Sequence, residues 1–350
     1  MVRQSFMFMR TLAAAVAVCS LAAGAVAAQA PSAAAKSNGT PAKAYVPSKT
    51  PDGQPDISGY WTNATYVPLE RPKGVTKEFY TPEEMAKIER DAALRENEQT
   101  VPGTTRDVHY SGAQFGIERS QATFARNLRT GLIVDPPDGR IPPQIPEALK
   151  RNAAIAAARN DLVVSHLDLP LTARCLATTG DGPPHIGNND LSNYQFIQSP
   201  GYVTILVERG HTARLIPLDG RPFPSSNVRS WFGISRGHWE GNTLVVETRN
   251  SNGRIQAASQ LQIKGGSEDM RIIERFTRVS PDRIDYRFTV DDPKTWARSF
   301  TAEGPFERLE PQGPIFEYAC HEGNYGMMNI LSGARAQEKA AEEAGKKKSN

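Results

Sequence analysis

The sequence predicts a mainly β protein, an antiparallel meander that closes into a barrel, with two surface helices in its N-terminal half. The first observation is a hydrophobic period of two from Asn193 onward. Residues 283–290 alternate without a fault, with Ile284, Tyr286, Phe288 and Val290 on one face and Arg283, Asp285, Arg287 and Thr289 on the other. That is the pattern of a half-buried antiparallel strand. Secondly, comparable runs recur at residues 202–208, 213–218, 243–249, 271–278, 296–302 and 315–320. Thirdly, their connections are short turns such as Glu240-Gly241-Asn242 and Ser280-Pro281-Asp282. A meander of about eight such strands leaves no exposed edge when it closes into a barrel, and a sandwich is the other solution.

The elements before Asn193 follow in order. Arg3 and Arg10 precede an apolar stretch ending in small residues around Ala25-Val26-Ala27, the form of a secretory leader, so residues 1–28 are expected to be a cleaved signal peptide. Val18 stands before Cys19 where lipid attachment needs a small residue. Residues 29–50, rich in Ala, Pro, Ser and Lys, read as a disordered linker. Thr81-Pro82-Glu83-Glu84 is a capping box with Pro at the first helical position and opens a helix to about Asn97. Its sparse apolar positions, Met85, Ile88, Ala92 and Leu94, put it on the surface. Residues 129–140 hold one short strand and its turn, and a second helix runs from about Pro146 to Asn160. One domain spans residues 51–334, and the Ala, Glu and Lys rich residues 335–350 form a charged tail, as a frayed helix or disorder.

Composition narrows the partners. The net charge of +3 falls to about +1 without Arg3 and Arg10, and charges are interleaved, so electrostatics gives nucleic acid no support. Beyond the leader no run approaches the roughly 20 apolar residues of a membrane span. The expected location is therefore periplasmic or secreted. Of the three cysteines only Cys175 and Cys320 lie beyond the leader. In an oxidising compartment a lone pair reads most simply as one disulfide, with a free catalytic thiol as the sharper alternative.

Several blocks carry a resemblance. Gly59-Tyr60-Trp61 after a run of turn residues resembles the first strand of lipocalin-like barrels, whose Trp plugs one end. Asp181-Gly182-Pro183-Pro184, Leu218-Asp219-Gly220-Arg221-Pro222, residues 237–246 from Gly237-His238-Trp239-Glu240, Glu274-Arg275-Phe276-Thr277-Arg278, and residues 318–325 together resemble an uncharacterised family of secreted bacterial proteins found in proteobacteria and acidobacteria. The resemblance spans residues 51 to about 334. It implies export and a lipocalin-like β-rich body, and brings no activity with it.

Function is then argued from side chains. Tyr318-Ala319-Cys320-His321-Glu322-Gly323-Asn324-Tyr325 gathers a base, an acid, a phenol and a thiol after an apolar run. His185 follows the rigid Asp181-Gly182-Pro183-Pro184 turn, and His211 sits at a hairpin tip. No histidine pair has metal-ligand spacing on a helix; His185, His211 and His321 would need the fold to assemble them, and no metal site is assigned. Glycine-rich phosphate cradles and the Gly-x-Ser-x-Gly elbow are both absent. What remains is acid/base chemistry without a cofactor. The expected activity is an exported lyase, hydrolase or isomerase acting on a small hydrophobic or aromatic molecule. Its catalytic candidates are His185, His211, His321, Glu322 and Tyr325, and its substrate contacts are Tyr194, Arg214, Asp219, Trp231 and Asn324. Arg214 has a plainer role open to it, an ion pair with Glu208, as Asp219 has in its own turn. The alternative function is a periplasmic lipocalin-like carrier that holds such a molecule unchanged.

Overall fold

Alternating apolar and polar side chains leave each strand from Asn193 onward with one face to bury, and the chain buries them all around one axis. The structure is a computed structural model that describes residues 45–96, 124–157, 163, 165–177, 181–187, 192–254, 263–309 and 315–348. The expected signal peptide and most of the expected linker lie outside these residues. Described residues belong to one unit, Ala44–Asn350. The linker prediction ran on to residue 50, but Lys49 bridges to Pro55, so order begins a little earlier than expected.

Among the described residues there are ten strands: β1 Gly59–Thr62, β2 Ile133–Asp135, β3 Asn193–Ser199, β4 Tyr202–Val207, β5 Ala213–Pro217, β6 Ile234–Glu240, β7 Thr243–Arg249, β8 Arg271–Ser280, β9 Arg283–Asp291 and β10 Phe300–Arg308. Three helices accompany them, α1 Pro82–Glu96, α2 Pro146–Ala157 and α3 Tyr325–Lys348. Nine strands follow each other in the order β5-β4-β3-β1-β10-β9-β8-β7-β6, while β2 pairs with β10. Every named strand pairing is antiparallel. The fold is the mainly antiparallel, nearly closed barrel that the alternation predicts.

Closure stops short of a full ladder. β5 and β6 end the strand path and share no backbone pairing in the described sheet. They meet through side chains: Arg214 Nε donates to Ser235 Oγ at 2.9 Å. Gly237 makes a close approach possible, since a Cβ there would lie 2.8 Å from Ile216 Cγ2 and from Leu218 Cδ2.

The interior is filled by the chain's own rings. Tyr194, Phe196, Phe276, Tyr286 and Phe306 form a continuous cluster with centroids 4.8 to 5.6 Å apart along its contacts. Such rings bury large apolar areas and favour these edge-on and tilted contacts. Trp61 is fully buried, and the guanidiniums of Arg278 and Arg308 lie 5.5 and 5.1 Å from its ring.

Two sequence expectations are corrected, and one strand went unforeseen. Residues 315–320 form no strand and have no ladder partner among the described residues; Cys320 at their end is bonded to Cys175. The strand expected at 296–302 begins only at Phe300, because Trp296 sits in a turn whose amide donates to Asp292 O. β6 escaped notice because Ser235 and Gly237 stand at its inward positions, where apolar side chains were sought. The charged tail is the end of a longer helix, α3, that starts at Tyr325. The capping box of α1 is present as read, with Thr81 N donating to Glu84 at 2.8 Å and Glu84 N to Thr81 Oγ1 at 3.2 Å.

Candidate functional site

Strand parity places one polar side chain per strand on the inner face of five neighbours: Arg214 on β5, Ser235 on β6, Thr248 on β7, Glu274 on β8 and Tyr286 on β9. All five are buried, and Glu274 is wholly inaccessible. Buried polar groups need partners, and these find one another. Arg214 Nη2 donates to the Glu274 carboxylate and, at 2.8 Å, to Thr248 Oγ1. Ser235 and Thr248 are register partners whose hydroxyls lie 2.9 Å apart. Tyr286 donates its hydroxyl proton to Glu274 Oε1 at 2.7 Å.

His185 completes the network from outside the ladder. It is 1% exposed, and its backbone N–H donates to the Tyr286 hydroxyl at 3.0 Å while its carbonyl accepts from Asn63 Nδ2 at 3.0 Å. Its ring meets Tyr194 edge-on with centroids 5.1 Å apart. Arg214 Nη1 lies 3.2 Å from His185 Nε2. A guanidinium can only donate, so this contact is a hydrogen bond when Nε2 accepts and the ring proton sits on Nδ1.

Burial by itself would raise the Glu274 carboxyl, but the Arg214 charge, the electrostatic influence of His185 and the bonds from Arg214 and Tyr286 outweigh it, so the group is held below its usual value. Tyr286 is pushed well above the ordinary phenol value by burial and by the Glu274 charge beside it. Burial raises Tyr194 in the same way. Glu274 is thus an anion, both phenols are neutral, and Tyr286 donates to Glu274.

Two spaces adjoin this network. A groove of about 300 Å³ follows the β5–β6 seam, with Pro183, Leu215, Phe232 and Ile234 among its walls and Arg214 and Ser235 in its lining. On the other side a cavity of about 20 Å³ touches His185, Tyr286 and Asn63.

The sequence candidates divide among these places. His185, Tyr194 and Arg214 come together in the buried network. The side chain of His211 lies outside the described residues; its backbone is in the short 3-10 turn Arg209–His211. His321, Glu322 and Tyr325 are exposed beside the disulfide, Tyr325 by 71%, and so share no buried site with His185. Asn324 caps α3 by accepting from Met327 N at 3.3 Å and donates to Ala173 O at 2.9 Å, a role in joining segments. Asp219 pairs with Arg221 in its turn, which holds its carboxyl below the usual value. Trp231 is half-buried, 5.8 Å from the Arg254 guanidinium. Arg214 does not pair with Glu208 across the hairpin; strand parity turns it inward to Glu274, and Glu208 Oε1 accepts from Phe316 N at 3.2 Å instead. Cys175 and Cys320 form the expected disulfide, with Cα atoms 5.7 Å apart.

Glu274, Tyr286, Ser235 and Thr248 were not among the sequence candidates. Their signal was available: each stands at an inward parity among apolar neighbours, as Glu274 does between Ile272 and Phe276. Among the described residues no group of three or more His, Cys, Asp or Glu is placed to hold a metal ion, and no helix is long and apolar enough to cross a membrane. No family model, curated protein or solved structure matches this chain.

Proposed function

We propose that this chain is an exported protein that binds a small, largely apolar or aromatic molecule bearing an anionic or carbonyl oxygen in the groove along the β5–β6 seam. The observation that carries this is the pairing of an apolar rim, Pro183, Leu215 and Phe232, with a lining that includes the Arg214 guanidinium. The volume lies at the lower end of the roughly 300–1,000 Å³ usual for small-molecule sites, which mix apolar walls with a few placed polar groups. The aromatic cluster fills the barrel axis, so the seam is favoured over the centre. Export is supported by the Cys175–Cys320 disulfide together with the leader-like N-terminus.

Anilinonaphthalene sulfonate has this chemistry, an aromatic body with an anionic group, and serves as the probe. Leu215 is 58% exposed, so Leu215→Glu adds a repelling charge at the rim without disturbing the core. The variant is expected to bind the dye at least ~10-fold more weakly at unchanged melting temperature, a difference of about 1.4 kcal/mol. Equal affinity would place the binding surface elsewhere.

Cofactor-independent acid/base turnover is the second reading. It is favoured by the direct hydrogen bond from Arg214, in the groove lining, to His185. A neutral imidazole is a base only at Nε2, which Arg214 occupies, so a substrate must first draw the guanidinium away. Nitrogen chemical shifts of His185, followed with pH in free and ligand-bound protein, test this. A ring that keeps its proton on Nδ1 and never titrates near neutrality in either state removes His185 as the base.

A further inference from the structure

Asn63 and Asn127 each have an amide whose orientation is fixed by the main chain. Asn63, 6% exposed, donates Nδ2 to His185 O at 3.0 Å. Asn127 accepts at Oδ1 from Arg129 N at 3.1 Å. Exchanging oxygen and nitrogen in either amide would lose that bond, so their polarity is settled by known donors and acceptors. The remaining atoms, Asn63 Oδ1 and Asn127 Nδ2, are buried and have no partner among the described residues. Both residues line the same cavity of about 20 Å³, which His185, Tyr286, Leu132 and Gly304 also wall.

The cavity lies at a gap in the barrel wall. Along one edge β10 pairs with β2 at Thr301 and Ala302 and with β1 at Glu307 and Arg308. Glu303 N still donates to Leu132 O at 2.8 Å just before β2, so the stretch without a partner on this edge among the described residues is 304–306, and Asn63, just beyond β1, and Asn127 line the cavity with Gly304 and Pro305.

We infer that this cavity is a binding site for one water molecule, which accepts from Asn127 Nδ2 and donates to Asn63 Oδ1. An anion would face the Asn63 carbonyl oxygen and a cation the Asn127 N–H, so the pair selects a group that both donates and accepts. The volume exceeds the roughly 10–15 Å³ that one water requires and leaves no room for a larger molecule. Asn127, Tyr286, Gly304 and Pro305 also line an outer groove of about 580 Å³ along β8–β10, so bulk solvent is the water's source on that side. The site brings solvent against His185 and Tyr286 from the side opposite the β5–β6 groove. It stands independently of what that groove binds.

A crystal structure of the whole protein is expected to show one ordered oxygen in the cavity, within about 2.7–3.2 Å of both amide atoms. Xenon pressurisation should leave the site unchanged, because dry apolar cavities take xenon and hydrated ones do not. Gly304→Ala provides the second measurement. A Cβ at Gly304 meets only Leu132 Cδ2, at 3.5 Å, so the variant folds while its methyl enters the space. It is expected to lose the oxygen peak and one long-lived water in oxygen-17 relaxation dispersion, and to melt below the wild type because both amides lose their partner. Xenon in the wild-type cavity, a map with neither water nor xenon, or a Gly304→Ala variant that keeps the wild-type count of long-lived waters would overturn the inference.

Discussion

Replacing Arg214 by Met keeps an unbranched apolar stem and removes the guanidinium that forms an ion pair with Glu274. The carboxylate is wholly buried and would keep one donor, the Tyr286 hydroxyl at 2.7 Å. Breaking a buried ion pair from one side typically costs about 3–5 kcal/mol, because the surviving charge is left uncompensated in a medium that solvates it poorly. At ~2–4 °C per kcal/mol for a domain of this size, Arg214→Met should melt about 6–20 °C lower near neutral pH. The loss should also depend on pH in a defined sense. In the wild type Glu274 titrates below its ordinary value of 4.5, so its contribution is complete above that value and fades only as acid carries the pH through the lower folded value. Without Arg214 burial dominates and the folded value moves above the unfolded one. The variant therefore binds the proton better when folded, is least penalised in acid, and loses stability as pH rises through that raised value. Thermal or urea unfolding of both proteins between about pH 4 and pH 8 is the assay, and the gap between them should widen with pH. A gap that stays constant, or one under about 1 kcal/mol at neutral pH, would refute the account of Glu274 as an anion compensated by Arg214. Arg214→Met with Glu274→Leu should recover much of the loss, because the uncompensated charge is gone.

Three further outcomes follow from the geometry. Reducing the Cys175–Cys320 bond, which spans a sequence separation of 145, should lower stability by about 2–5 kcal/mol, measured by urea unfolding with and without reductant; intact-mass analysis showing two free thiols would contradict the bond itself. Gly187→Ala should cost about 3 kcal/mol, because a Cβ there falls 1.8 Å from the Asn63 carbonyl oxygen and main chain must move, whereas Gly182→Ala meets the movable Phe232 ring at 2.0 Å and should disturb dye binding more than melting. Amides of β5 and β6 should exchange with deuterium faster than those of β8 and β9, since one edge of each lacks a ladder; equal protection would mean the seam is as firmly paired as the rest.

How much of this was legible in the sequence depended on which physical signal each residue left. Period-two alternation of buried and more exposed positions runs through β8 and β9, and in β9 it shows directly in the sequence, with Ile284, Phe288 and Val290 inward and Asp285 and Arg287 outward. The same signal failed for β6, whose inward Ser235 and Gly237 are there because Arg214 and Ile216 approach from across the seam. Residues 315–320 misled in the opposite way, since an apolar run reads as a strand until one knows that Cys320 is tied to Cys175 rather than to a ladder. Cys175 and Cys320 were paired by elimination, which needs no geometry. For the site, local density of chemistry pointed to residues 318–325, and that cluster turned out to be an exposed cap and turn. His185 and Arg214 were recognised singly. Glu274 and Tyr286 were passed over, because a buried constellation drawn from five strands leaves no run of neighbouring residues to notice, only isolated polar residues out of place on apolar faces.

The two features hardest to read are physically one feature. Since β5 and β6 share no ladder, something else must hold the seam, and Arg214 does so by donating Nε to Ser235 on the far strand at 2.9 Å. The same guanidinium holds Glu274, faces His185 and lines the groove. A ligand that engages Arg214 in the groove therefore acts on barrel closure as well. If it binds while Arg214 keeps its bond to Ser235, ligand should slow deuterium exchange in β5 and β6, because it adds contacts across the weakest edge. If it draws Arg214 outward, the Ser235 and His185 bonds break together, exchange in β5 and β6 speeds up, and the His185 Nε2 lone pair is released. Exchange measured with and without bound dye thus separates a carrier, which tightens its seam, from an acid/base enzyme, which must loosen it to free its base.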